Sequence, residues 1–162
     1  MDQRPGDRRA LHLTPAQRTD RPIAVVTKAR GVDERLNTLA GPIQADLWVS
    51  TSGTDADWVV KLVDVFPSDA PDWEGMEKGE HMSGYQMLVR SEAIRGRFRE
   101  SYETPKPFVP GEETYVDLEL LDVLHTFQKG HRIQVQIQST WFPLMDRNPQ
   151  TWVENVSYAK ES

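Results

Sequence analysis

Residues 125–151 read HTFQKGHRIQVQIQSTWFPLMDRNPQT, and the run RIQVQIQ inside them, residues 132–138, decides the fold. Ile133, Val135 and Ile137 alternate strictly with Arg132, Gln134, Gln136 and Gln138. Successive side chains of an extended strand point to opposite faces, so this period of two turns one face to a core and the other to solvent. Gly130 ends the turn before it. The same stretch gathers His125, His131, Ser139, Asp146 and Arg147, the residue types of a hydrolytic site, so its reading bears on function as well.

The alternation recurs earlier in the chain. In IQADLWVST, Ile43, Ala45, Leu47 and Val49 form the apolar face, with Trp48 an amphipathic exception on the other. The turn cluster TSGTDAD (51–57) separates this strand from WVVKLVDVFP (58–67), rich in β-branched residues and stopped by Pro67. GYQMLVRSEA (84–93) reads as a further strand, and ETYVDLELLDV (113–123) sets Val116, Leu118 and Leu120 against Tyr115, Asp117 and Glu119. Residues 68–83 and 94–111, broken by Pro and Gly, are connections. Short strands spaced by turns, with no apolar helix between them, predict an all-β antiparallel sandwich or jelly roll.

Residues 1–38 are atypical. They hold seven of the thirteen arginines, and only PIAVV (22–26) is strand-like. The plain expectation is a poorly ordered extension with one edge strand, and residues 39–162 as the β domain.

The 162 residues suit one domain. Nineteen Lys+Arg against 25 Asp+Glu give −6, which leaves no electrostatic footprint for nucleic acid or an anionic membrane. There is no cysteine, which excludes disulfides, thiolate nucleophiles and cysteine-based metal sites. No apolar stretch reaches membrane-spanning length, and the charged N-terminus is unlike a signal peptide; a soluble chain, cytoplasmic by default, is expected.

Candidate chemistry is sparse. No G-x-S-x-G elbow surrounds any serine. His125 and His131 are the candidate general bases, or a metal pair lacking a third ligand at a suggestive spacing; the simpler reading makes them strand and turn residues. Asp55, Asp57, Asp64, Glu74, Glu77 and Glu80 are expected as solvated turn charge, with Asp55 and Asp57 capping the turn before strand 58–67. Trp58 is expected in the core. Trp141 precedes Phe142 and Pro143 and is expected at an interface, because a proline there cannot continue a central strand. No catalytic, cofactor-binding or metal-ligating residue is assigned.

Three stretches in order, GPIQADLWVSTSGTDADWVVKLVDVFP, GYQMLVRSEAIRGRFRESYETPKPFVPGE and LLDVLHTFQKGHRIQVQIQSTWFPLMDRNPQT, resemble the C-terminal domain of the cocaine esterase and X-Pro dipeptidyl-peptidase family of serine hydrolases. The resemblance covers roughly residues 39–155. It implies a jelly-roll β-sandwich of galactose-binding-like fold that follows an α/β-hydrolase domain bearing the Ser, Asp and His triad. None of those three maps onto this chain, so the expected role is a non-catalytic, inactive accessory domain. Its partner would be that α/β-hydrolase domain, on the same or a split polypeptide, with a homo-oligomer left open and no cofactor. The loop expected to face the partner is Trp141, Phe142, Pro143, Asp146, Arg147, Asn148 and Pro149, the last four as a turn. The alternative is a free-standing carbohydrate- or ligand-binding module. The resemblance lapses over residues 7–38, as a pair of compensating frame changes in the gene would cause.

Overall fold

The computed structural model describes residues 28–31 and 37–159, the first four and Asn37 by backbone alone. PIAVV at 22–26 lies outside them, as does most of the stretch to which a frame change was assigned. The described residues form strands β1 (Lys28–Gly31), β2 (Asn37–Val49), β3 (Asp57–Val65), β4 (Gln86–Arg95), β5 (Thr114–Phe127) and β6 (Arg132–Gln138), with short 3-10 turns at Gly96–Phe98 and Val156–Tyr158. They contain no α-helix.

All pairings are antiparallel. A four-stranded sheet has the order β1-β6-β3-β4, and β2 pairs with β5 in a second, two-stranded sheet. The two sheets face each other across one core. Leu47, Val116, Leu118 and Leu120 come from one side; Trp58, Val60, Ile94 and Ile137 come from the other, with Ala56 and Phe108 closing an end. Each large apolar side chain buried there contributes about 1.5–3 kcal/mol relative to exposure.

Two irregularities set which residues point inward. Leu120 of β5 lies opposite Ile43, but Val123 lies opposite Gly41, so β5 holds one residue more than β2 between these pairs. Pro42 sits at this bulge, where a missing N–H is tolerated, and Gly41 adopts φ +99, a conformation glycine alone reaches without strain. The extra residue flips the phase of β5. Val116, Leu118 and Leu120 point inward before it, and Val123, His125 and Phe127 point inward after it. Phe127 is fully buried as a result, packed with Leu62, Leu39, Ile43, Val89, Ile133 and Val135.

The strand expected at 113–123 therefore continues to Phe127 and takes in His125. The polar face of β6 is also less open than expected: Gln134, Gln136 and Gln138 are half-buried, and β3 is buried on both faces except at Lys61.

Candidate functional site

The polar residues expected to be solvated are the first departure. Asp55, Asp57 and Asp64 are 0%, 2% and 1% exposed, whereas Glu74, Glu77 and Glu80 lie on the surface. A buried carboxylate is tolerated only with partners that replace its lost hydration. Each of the three has a different set.

Asp64 lies opposite Ile133 in the β3–β6 register and so on the inner face of its sheet. His125, turned inward by the β5 bulge, brings Nε2 within 2.9 Å of Oδ2 from the opposite sheet. His131, in the β5–β6 turn, brings Nδ1 within 2.8 Å of Oδ1. The His131 ring also packs on Phe66 at 4.4 Å, and the His125 ring meets Phe127 edge-on at 4.7 Å between centroids. One carboxylate thus ties both sheets and the turn between two strands together.

The histidines do lie in a strand and a turn, and His131 N–H donates to Gln128 O; the side chains, however, converge on Asp64 rather than on backbone. No group of three or more His, Asp or Glu side chains among the described residues is arranged to hold a metal ion. Both rings meet the same buried carboxylate, so the contacts seen here join the two sheets and the turn.

At the other end of the core, the turn at 53–57 meets the loop at 141–153. Asp55 accepts from Arg97 Nε at 2.9 Å, pairs with Arg97 Nη2, and also accepts the Ala56 N–H at 3.0 Å. The last contact is the turn-capping role expected of Asp55. Arg97, 5% exposed, donates through Nη1 to Val153 O and stacks at 4.5 Å on the Trp152 ring. Asp57 accepts from Asn148 Nδ2 at 2.7 Å, and Arg95 stands 3.8 Å from both Asp57 and Asp146. Burial raises the Asp57 carboxyl above its ordinary range, against the lowering effects of Asn148 and Arg95. Gln150 O accepts the N–H groups of Thr54 and Asp55, and Trp152 N–H donates to Thr54 Oγ1. Gly53 has to be glycine, because a Cβ there would collide with Gln150 O.

This network clamps residues 146–153 and leaves the preceding stretch outside. The turn expected at Asp146–Pro149 falls instead at Phe142–Leu144, closed by Met145 N–H to Trp141 O, while Asn148 folds its side chain onto the Gln150 N–H. The Phe142–Pro143 peptide is cis. Phe142 and Leu144 are 58% and 69% exposed, Pro143 is exposed, and Arg147 stacks on Phe142 at 4.6 Å. Trp141 is half-buried under the Lys61 ammonium, 4.1 Å from its ring centroid; partial burial holds that ammonium below its ordinary pKa. Trp58 is in the core as expected. Sequence reasoning missed Arg95, Arg97 and Trp152, whose partners are remote in the chain.

The sequence matches the family described as the X-Pro dipeptidyl-peptidase C-terminal non-catalytic domain over residues 4–161. It is 34% identical over 113 residues to the cocaine esterase of Rhodococcus sp. (strain MB1 Bresler), an overlap of 70% of this chain and 17% of that protein. The fold superposes on an aminopeptidase from the marine sediment archaeon Thaumarchaeota archaeon with TM-score 0.76 and 43% identity, over 84% of this chain and 21% of that one. An α-amino acid ester hydrolase gives TM-score 0.75 and 43% identity over the same shares. The chain spans about a fifth of the length of these relatives.

Proposed function

Because the chain belongs to the family of X-Pro dipeptidyl-peptidase C-terminal non-catalytic domains, we propose that it is the accessory β domain of a serine hydrolase. It packs on an α/β-hydrolase catalytic domain, in the same or a split polypeptide, that cleaves esters, amides or X-Pro peptides by acyl transfer. The family match carries this reading. The 43% identity to an aminopeptidase and to an α-amino acid ester hydrolase supports the reaction class. The two facing antiparallel sheets, with non-sequential strand order, support the finer assignment to a galactose-binding-like jelly roll.

The contact surface is the loop of Trp141, Phe142, Pro143, Asp146, Arg147, Asn148 and Pro149. What supports it is the contrast within the loop: its base is clamped through Asn148 and Gln150, while Phe142, Pro143 and Leu144 project. Rigid apolar anchors with a charged rim are what a docking surface needs, since little entropy is lost on association. The test is a chimera in which residues 37–159 replace the matching domain of the α-amino acid ester hydrolase. A soluble, active hydrolase is expected, and Phe142→Ala with Leu144→Ala should lower its inactivation temperature while leaving the isolated domain unchanged. Indifference of the chimera to the double replacement would contradict the loop assignment.

A further inference from the structure

The outer face of the β2–β5 sheet carries a second surface that neither the core nor the loop uses. Trp48 and Tyr115 are directly opposite in register, 56% and 44% exposed, with ring centroids 5.4 Å apart and planes tilted by 50°. Tyr115 Oη donates to Asp46 Oδ1 at 2.6 Å, which fixes its ring. The next two cross-strand pairs on this face are Asp46 opposite Asp117 and Gln44 opposite Glu119. Same-face pairs repeat about every 7 Å along a strand, so the row extends over about 14 Å from the rings.

We infer that this row is a binding site for a short neutral oligosaccharide, lying along the strands with a sugar ring against Trp48 and Tyr115. The partly exposed Trp48 indole, braced in register by the Tyr115 ring tilted 50° to it, offers an apolar ring face suited to the C–H face of a pyranose. Beyond the rings the side chains are carboxylates and an amide. Carboxylates only accept hydrogen bonds, so the ligand that satisfies them is rich in donors, as polyol hydroxyls are. Asp46 faces Asp117 across the strands, an arrangement that costs a sheet stability when unrelieved and that bridging hydroxyl donors ease.

The experiment is calorimetric titration of the 162-residue chain with maltohexaose, cellohexaose, xylohexaose and a galactohexaose. At least one is expected to bind saturably, with Kd changed less than about twofold between about 0.05 and 0.5 M salt, because the contacts are not ion pairs. Trp48→Ala should weaken that binding about tenfold or more, equivalent to at least about 1.4 kcal/mol, without changing the melting temperature. Trp73→Ala removes an equally open indole elsewhere, 64% exposed, and should leave binding unchanged. Silence from all four sugars, or equal loss in the two variants, overturns the inference. So does binding only of a poly-arginine peptide, lost as salt rises, which would make the face an acidic docking surface for a basic partner.

Discussion

Replacing Asp64 by Ala removes the carboxylate shared by His125 and His131. Two hydrogen bonds to a charged acceptor are lost, each worth about 1.5–3 kcal/mol. Against this, removing the buried charge relieves a desolvation penalty of several kcal/mol. The balance is tipped by what remains: two imidazoles without partners, their side chains only 19% and 12% exposed, facing an apolar end of the core. A net loss of about 2–4 kcal/mol is expected, or about 6–12 °C in melting temperature for a chain of this size. Asp64→Asn keeps the shape and one acceptor and should cost about half as much. The assay is urea unfolding of both variants, with His125→Ala added to close a double-mutant cycle. Coupling of about 1–2 kcal/mol between Asp64 and His125 is predicted; Asp64→Ala within about 0.5 kcal/mol of the parent would refute the clasp.

Three further outcomes follow from the other end of the core. Gly53→Ala forces its Cβ into Gln150 O, so the loop or the turn must move; a loss of about 1–3 kcal/mol and faster proteolysis within 141–153 are expected. The Asp57 carboxyl is raised by burial above its ordinary 3.8, so it contributes stability in its protonated form, present below 3.8 and lost as pH rises through the raised value. The stability of the parent relative to Asp57→Asn should therefore fall between pH 3 and 7, measured by paired urea titrations; a rise would contradict the assignment. Arg97→Met leaves Asp55 buried without its cation and should cost about 3–5 kcal/mol, read as a lost or strongly lowered thermal transition.

β2 from Ile43 onward and β6 were readable because each keeps a period of two, and Leu47 and Ile137 lie where that period puts them; β3 was readable from its β-branched run ending at Pro67. The end of β5 was not, because one bulge residue opposite Pro42 reverses the phase and turns His125 and Phe127 inward while Leu121 and Leu124 face solvent. The buried aspartates were illegible for another reason. Asp64 is 61 residues from His125 and Asp55 is 42 from Arg97, and a carboxylate in a turn or near a strand end looks solvated until the tertiary fold brings its partner. The loop at 141–149 stood out in the sequence through Phe142-Pro143, but its clamp through Asn148 and Gln150 depends on a turn more than ninety residues earlier.

The histidines and aspartates of this member of a non-catalytic domain family hold its fold together. Turnover of p-nitrophenyl acetate by the purified chain, with and without a serine-directed phosphonate, tests this non-catalytic role most directly. A rate equal to the buffer background, unchanged by the phosphonate and by His125→Ala, is expected. A saturable rate above background that the phosphonate abolishes would contradict it.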